Sequence, residues 1–173
     1  LWTIALGMTL GAAGDWFLAR RGETAFHAGV AAFGAGHLAY ACGMLAQSSA
    51  LGFDGVSVPE GAVLAALLVL ILSTEVWLAP RKGALRWPVR FYVLLIGAMG
   101  VAAVLLPERN GQAAWRLGAA LFLASDLMLA LRLFVVADAG RQTLLSLALW
   151  PAYWLGQALI GLSALAFWGA LGH

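Results

Sequence analysis

The chain has 173 residues, of which 63% are hydrophobic and only 10% are charged. Soluble domains carry about a quarter charged residues, so this composition excludes an ordinary soluble globular protein as well as a disordered chain. Ten basic and eight acidic residues give a formal net charge of +2, which is too little for the basic groove of a nucleic-acid-binding protein. The single cysteine, Cys42, has no partner for a disulfide within the chain. We expect an integral membrane protein.

Six stretches are long and apolar enough to cross a hydrocarbon core, which takes about 20 residues. In chain order they cover about residues 1–19, 24–47, 61–79, 88–106, 113–136 and 144–171. Short polar connectors separate them at residues 20–23, 47–60, 80–87, 107–112 and 137–143. Because short connectors make neighbouring helices antiparallel, the predicted fold is all-α, a polytopic transmembrane helix bundle that forms one domain over residues 1–173.

Basic residues distinguish the two ends of the predicted bundle. Eight of the ten fall on one face when successive connectors alternate between faces: Arg20, Arg21, Arg81, Lys82, Arg86, Arg90, Arg132 and Arg141. The other face has only Arg109 and Arg116. The positive-inside rule predicts that the first face is cytoplasmic, and we expect a multi-pass protein of a bacterial inner (plasma) membrane. Because the chain opens on an apolar Leu1 without a signal peptide, we also expect further N-terminal sequence with one or two more helices.

Three acidic residues lie within the predicted spans, Asp15, Glu75 and Asp126, and we expect no basic residue of a span to neutralise them. A carboxylate in the bilayer is costly, and such residues usually face the bundle interior and mark function. Glu75 lies near the membrane surface, where an interaction with the adjacent connector explains it better than chemistry. Asp15 and Asp126 have no charged neighbour three or four residues away, which favours a functional role.

Further polar side chains lie at comparable depth or nearer the middle of their helices: His37, Tyr40, Tyr92, Tyr153 and Gln157. They could converge with the two aspartates on one polar cavity that opens toward the cytoplasmic side. Each histidine or tyrosine could equally be a packing residue with a satisfied hydrogen bond. Three glycines that precede Asp15, at positions 7, 11 and 14, indicate close helix packing in this region.

Two acidic motifs carry a resemblance to a known family. Gly14-Asp15-Trp16-Phe17-Leu18 is followed by Gly36-His37-Leu38-Ala39-Tyr40, and residues 118–126 read Gly-Ala-Ala-Leu-Phe-Leu-Ala-Ser-Asp. With Tyr153 and Gln157 in the last helix, their order and spacing resemble the YhhN (TMEM86) family of lysoplasmalogenase-like integral membrane proteins. Members of that family typically have about eight helices and begin with a pair that includes a Lys-Pro motif, and this sequence does not contain that pair.

The resemblance implies a lysoplasmalogenase-like ether hydrolase. Such an enzyme cleaves the vinyl ether bond of lysoplasmalogen and releases a fatty aldehyde and a glycerophospho-ethanolamine or glycerophosphocholine. Vinyl ethers hydrolyse through protonation of carbon and an oxocarbenium ion, a problem that glycosidases solve with two carboxyl groups. An apolar site favours neutral carboxyl groups, and two neighbouring ones resist ionising together. Asp15 and Asp126 are therefore the predicted catalytic pair, with the acid and the base unassigned.

The remaining residues have predicted supporting roles. We expect His37 and Tyr40 to orient a carboxyl group or water, and Tyr153 and Gln157 to bind the ether oxygen or head group. Tyr92 and Glu75 are predicted to assist substrate binding, Glu75 near the entrance. The phosphate could be held by Arg20, Arg21, Arg86 and Arg90, although topology explains these cations better. We expect no cofactor or metal, and the predicted partners are the lysophospholipid, water and membrane lipids, not nucleic acid.

Two other functions remain open from the sequence. A proton- or cation-coupled transporter also uses intramembrane carboxylates, although no inverted repeat or proline-broken helix pair is evident. A non-catalytic lipid-binding protein would bind lipid and form no product. Serine hydrolase chemistry is disfavoured because no Gly-x-Ser-x-Gly motif is present. A flux measurement in proteoliposomes separates transport from hydrolysis.

Overall fold

The structure is a computed structural model that describes residues 1–78, 83–107 and 111–171, with the side chains of residues 84, 168, 170 and 171 left out. Its six helices are α1 (Trp2–Leu18), α2 (Glu23–Leu51), α3 (Val58–Trp77), α4 (Arg86–Val104), α5 (Gln112–Phe134) and α6 (Ala139–Leu171). One 3₁₀ turn, Gly83–Leu85, leads into α4. No strand occurs in the described ranges, so the prediction of an all-α bundle is confirmed.

Five of the helices, α2 to α6, are long and apolar enough to cross a membrane. α1 has 17 residues, at the lower end of the length of about 17–25 residues that a span requires. It packs against α2 and α6 as part of the same bundle. The chain therefore has the composition and architecture of an integral membrane protein.

Two helices are longer than predicted. α2 continues to Leu51, where Gly52 leaves the helix with a φ of 86°, a conformation that glycine adopts without strain. α6 begins at Ala139, because the Asp138 carboxylate accepts the Arg141 backbone N–H at 2.8 Å and so satisfies a free donor of the first turn. Both errors arise because a capped polar turn resembles a connector in sequence.

Five helices form a closed ring. α1 lies between α2 and α6, α4 contacts α2 and α5, and α5 packs along α6. α3 lies outside this ring against α4, and none of its residues is fully buried. Its exposed apolar side chains include Leu68, Val69 and Leu72. The ring therefore encloses the interior of the bundle, and α3 covers one side of it.

Glycines allow the closest helix contacts, as predicted for α1. A methyl group at Gly36 of α2 would lie 3.2 Å from the Gly7 carbonyl oxygen of α1. Between α5 and α6, a methyl group at Gly118 would lie 2.9 Å from the Gly156 carbonyl oxygen, and the reverse distance is also 2.9 Å. Backbones at such separations leave no space for a side chain. These contacts fix α1 against α2 and α5 against α6.

The expectation that no cation within a span neutralises an intramembrane acid is wrong for Glu75. Arg90 of α4 pairs with Glu75 of α3 through two nitrogens, its Nε donating to Oε1 at 2.7 Å. At the other end, Arg116 of α5 pairs with Glu60 of α3 and donates to the Val104 carbonyl at 2.7 Å. A guanidinium on a long side chain reaches an acid on the neighbouring helix. The basic residues 81, 82 and 109 lie outside the described residues.

The contact between α5 and α6 gives a prediction for stability. Replacing Gly156→Ala places a methyl group against the α5 backbone, and we expect a loss of about 1–3 kcal/mol from overpacking. Gly169→Ala is the matched control, since no atom lies within 4 Å of a methyl group there, and alanine favours a helix by up to about 1 kcal/mol. Thermal unfolding in detergent should give a lower Tm for the first variant only; equal Tm values would contradict this packing.

Candidate functional site

Asp15, near the C-terminal end of α1, is the end point of a directed hydrogen-bond chain. The Tyr153 hydroxyl donates to Asp15 Oδ2 at 2.8 Å, and Gln157 Nε2 donates to the Tyr153 oxygen at 3.2 Å. The Tyr40 hydroxyl donates in turn to Gln157 Oε1. Tyr40, Tyr153 and Gln157 are buried, with exposures of 1%, 5% and 6%. Each member of the chain donates a hydrogen bond to the next, and the last hydrogen bond is accepted by the carboxylate of Asp15.

The glycines of α1 make room for this chain. A methyl group at Gly11 would lie 2.7 Å from Gln157 Nε2, and one at Gly7 would overlap the Tyr40 ring. A methyl group at Gly14 would lie 2.5 Å from the Phe33 ring. The spacing of four and three residues puts the three glycines on one face of the helix. The sequence Gly7-x₃-Gly11-x₂-Gly14-Asp15 therefore encodes both the recesses and the acid beside them.

Asp126 of α5 belongs to a second cluster, with His37 of α2 and Tyr92 of α4. His37 Nε2 lies 3.1 Å from Asp126 Oδ2, although neither atom is aligned for a hydrogen bond. The ring of Tyr92 packs edge-on against that of His37, with the ring centroids 5.5 Å apart, and its hydroxyl interacts electrostatically with the Asp126 carboxyl group. His37 is 1% exposed and the Asp126 side chain is 11% exposed. The acid thus has a titratable partner on one side and a hydroxyl group on the other.

The contact of the other ring nitrogen of His37, Nδ1, shows which nitrogen carries a proton. Nδ1 lies 2.7 Å from the Phe33 carbonyl oxygen, and a carbonyl can only accept, so Nδ1 carries a proton. Nε2 is therefore the ring nitrogen that His37 presents to Asp126, at 3.1 Å from Oδ2.

A phenylalanine ring separates the two clusters. The ring centroid of Phe122 lies 4.6 Å from that of His37, 5.3 Å from that of Tyr153 and 6.2 Å from that of Tyr40, with edge-on contacts to all three. Its exposure is 1%. Phe122 holds both clusters in place by ring packing while it keeps their polar atoms apart.

Two cavities adjoin at Asp126. The first, of about 280 Å³, is called here the two-aspartate cavity because both Asp15 and Asp126 line it, together with Tyr153 and Arg132. The second, of about 120 Å³, is the apolar cavity, whose wall is formed by aliphatic and aromatic side chains of α2 to α5. Asp126 lines both cavities, whereas Asp15 lines only the first. The cavity on one side of Asp126 therefore contains both aspartates and an arginine, and the cavity on the other side is almost entirely apolar.

The structure brings together most, but not all, of the predicted site residues. His37, Tyr40, Tyr92, Tyr153 and Gln157 all contact or support the two aspartates. Glu75 does not: it lines a separate groove with Trp87 and Arg90. Among the predicted phosphate-binding cations, Arg90 is paired with Glu75, and Arg20 lies over the Trp16 ring. No group of three His, Cys, Asp or Glu residues in the described ranges is arranged to hold a metal ion.

Sequence reasoning missed Arg132 and Phe122. Arg132 follows Asp126 by six residues and was predicted only as a marker of topology, yet it lines the two-aspartate cavity. A charged residue inside the apolar stretch of α5 was a signal for this position. Phe122 belongs to the second acidic motif, but an apolar residue in an apolar helix gives no indication of its role.

Comparison with known families identifies the family of this chain. A model of the YhhN family matches residues 1–164, which is nearly the whole chain, and the chain therefore belongs to the YhhN family. The match includes both aspartates and every residue of the two clusters. No curated protein matches the chain, and no solved structure matches it either.

The His37–Asp126 pair gives a second prediction for stability. His37→Leu leaves a buried carboxylate without its partner, and breaking such a pair costs about 3–5 kcal/mol. In the double variant His37→Leu/Asp126→Leu neither polar group remains, so we expect recovery of a large part of the loss. Thermal unfolding of wild type, both single variants and the double variant measures the coupling. Strictly additive losses in the double variant would contradict the pairing.

Proposed function

We propose that this member of the YhhN family is a membrane-embedded hydrolase that cleaves the vinyl ether bond of lysoplasmalogen or a related single-chain ether lysolipid. The products are a fatty aldehyde and a glycerophospho-ethanolamine or glycerophosphocholine. The observation that carries the proposal is the place of Asp126, at the junction of an apolar cavity and a cavity that contains a second aspartate.

The two cavities match the polarity of such a lipid. A lysoplasmalogen has one hydrocarbon chain, and its vinyl ether lies where that chain meets the glycerol head. With the chain in the apolar cavity and the glycerol in the two-aspartate cavity, the vinyl ether lies beside Asp126. The chain then meets almost only apolar side chains, whereas the reverse orientation would bury a charged head among aliphatic side chains.

Asp126 is the proposed general acid. Hydrolysis of a vinyl ether begins with transfer of a proton to the carbon β to oxygen, which is the carbon on the hydrocarbon side of the bond. The acid must therefore face the chain, and of the two aspartates Asp126 lines the apolar cavity whereas Asp15 does not. In the proposed mechanism Asp126 transfers a proton that it shares with His37, whose Nε2 lies 3.1 Å from its Oδ2. The Phe33 carbonyl and the ring of Tyr92 position the imidazole.

Asp15 is the proposed carboxylate of the second step. Protonation of carbon gives an oxocarbenium ion, and a nearby carboxylate stabilises this positive charge. Water then adds to the carbon α to oxygen and loses its proton to Asp15. The hemiacetal collapses when its hydroxyl proton transfers to the glycerol oxygen, and the carbon–oxygen bond breaks to give aldehyde and alcohol. The next substrate requires Asp126 to regain a proton, which the proton held by Asp15 supplies through water in the shared cavity.

The hydrogen-bond chain from Tyr40 through Gln157 and Tyr153 supports Asp15 in this role. A carboxylate accepts the Tyr153 hydroxyl without needing a proton of its own. The chain also fixes the rotamer of the carboxylate, so that its second oxygen is free for water. These three residues are positioning residues in the proposed mechanism.

The proposal includes a membrane orientation. Asp15 lies near the C-terminal end of α1, and Asp126 lies eight residues before the end of α5, so both are closer to the end of the bundle that carries Arg20, Arg86 and Arg141 than to the other end. By the positive-inside rule this end faces the cytoplasm. We place the active site in the cytoplasmic half of the membrane.

The pair of aspartates gives a prediction for activity. In Asp126→Asn the acid is lost, and in Asp15→Asn the carboxylate is lost, so each should release aldehyde from a lysoplasmalogen about 10²–10⁴ times more slowly, the usual contribution of a general acid or base. Aldehyde is measured by coupled oxidation with a dehydrogenase in detergent micelles. Glu75→Gln is the control, because it removes a carboxylate that lies outside both cavities.

Wild-type turnover in either aspartate variant would contradict the role given to that residue. Thermal unfolding of each variant, in parallel with the kinetics, identifies a loss that comes from misfolding. A fall in activity of the Glu75 control as large as that of the aspartate variants, at an unchanged Tm, would indicate that the site lies elsewhere.

The protonation step gives an independent prediction. In D₂O the proton added to carbon is a deuteron, so the aldehyde should carry one deuterium on the carbon next to the carbonyl group. Immediate reduction with borohydride fixes the label, and mass spectrometry of the alcohol counts it. Aldehyde without deuterium would contradict carbon protonation, whichever residue is the acid. A control in which unlabelled aldehyde is incubated with enzyme in D₂O corrects for exchange through the enol.

A further inference from the structure

Arg132 is a cationic side chain of the two-aspartate cavity without a partner. Its guanidinium forms no hydrogen bond or ion pair within the described residues, and its Nε is buried. The other buried or half-buried arginines differ: Arg90 is paired with Glu75, and Arg116 with Glu60. Two carboxyl groups line the same cavity as Arg132, yet neither pairs with it, since Asp15 is bound by Tyr153 and Asp126 faces His37.

An arginine in this position needs an anion to accept its hydrogen bonds. A buried N–H that makes no hydrogen bond is costly, and the cost is greater for a charged group. The planar guanidinium matches the oxygens of a phosphate, to which it donates two parallel hydrogen bonds. Ser146 and Ser125 line the same cavity, but both donate their hydroxyl protons to backbone carbonyls. The Arg132 guanidinium is therefore a strong hydrogen-bond donor in this cavity that has no acceptor.

We propose that Arg132 binds the phosphate of a lipid head group inside the two-aspartate cavity and so selects a phospholipid over a neutral ether lipid of the same chain. This inference rests on the proposed function for the nature of the lipid. It assigns the phosphate to a residue that carries no role in the hydrolysis itself.

The position of Arg132 along α5 fits this assignment. Six residues separate it from Asp126, which is about 9 Å along the helix axis, and helical side chains lean toward the N-terminus and so bring the guanidinium back toward Asp126. The three carbons of glycerol separate the ether oxygen from the phosphate. A lipid with its vinyl ether at Asp126 therefore has its phosphate on the Arg132 side, farther toward the basic end of the bundle.

A lipid-borne phosphate fits this site better than free phosphate. Both aspartates and the largely apolar wall of the cavity disfavour a small anion that brings no other contacts. A lysolipid brings a chain for the adjoining apolar cavity, so burial of that chain offsets the cost of placing an anion near two acids. Free phosphate lacks this contribution.

The test compares two substrates in three variants. The substrates are a 1-alkenyl lysophosphoethanolamine and the 1-alkenyl glycerol that lacks the phosphate, presented in the same uncharged detergent. Arg132→Gln should lower the ratio of kcat/KM for the first substrate to that for the second by about tenfold or more, the loss expected for a hydrogen bond between charged groups. Arg132→Lys keeps the charge without the planar fork and should lower the ratio less. Arg141→Gln is the control, since it removes an exposed arginine at the same end of the bundle.

An unchanged ratio in Arg132→Gln would overturn the proposal, because a purely structural arginine would reduce the activity on both substrates equally. A ratio that falls as far in Arg141→Gln would overturn it too, because the effect would then come from surface charge.

Binding separates this inference from the proposed hydrolysis. A 1-alkyl lysophosphoethanolamine has no vinyl ether and cannot be cleaved, so its affinity for the purified protein does not depend on catalysis. We expect Arg132→Gln to bind it about tenfold or more weakly relative to 1-alkyl glycerol, even if wild type hydrolyses neither alkenyl substrate. Equal relative affinities would overturn the phosphate site while the hydrolase proposal stands on its own assay. Displacement of the bound lysolipid by millimolar inorganic phosphate would also overturn it, since the site would then be one for a free anion.

Discussion

The cost of an ionisable group in a low-dielectric interior governs this structure. Four acids of the described helices, Asp15, Glu60, Glu75 and Asp126, each face a partner. Glu60 and Glu75 are neutralised by arginines of neighbouring helices, whereas Asp15 accepts a hydroxyl and Asp126 faces an imidazole. The first two partners carry a permanent opposite charge. The other two are a hydroxyl and an imidazole, and the acids that they face are the two that line the two-aspartate cavity.

The glycines of α1 make the polar network possible. A buried chain of hydrogen bonds is stable only when each member is satisfied, and this requires the side chains of α2 and α6 to meet deep inside the bundle. The missing side chains of Gly7 and Gly11 provide the space in which Tyr40 and Gln157 meet. The position of α1 therefore depends on small residues, and the position of Asp15 follows from that of α1.

Hydropathy and charge predicted the architecture and most residues of the candidate site, because both depend on features that every residue carries. Six apolar stretches correspond to the six helices, and the scarcity of charge identified Asp15 and Asp126. Which residues of different helices contact each other could not be predicted in this way. Nothing in the sequence relates Arg90 to Glu75, or His37 to Asp126 rather than to Asp15, because these contacts depend on which helices are neighbours in the ring. For the same reason Glu75 was grouped with the site, and Arg132 was not.

The proposed division of roles between the two aspartates follows from where a vinyl ether takes its proton. In a glycoside the acid protonates the oxygen of the leaving group, so both carboxyl groups lie around the polar part of the substrate. In a vinyl ether the proton goes to carbon, and the acid must lie against the hydrocarbon chain while the second carboxylate serves the oxygen side. A bundle with one aspartate between the apolar cavity and the two-aspartate cavity, and the other in the two-aspartate cavity alone, has this asymmetry. Phe122 packs against both His37 and Tyr153 and so holds the partners of the two aspartates in place.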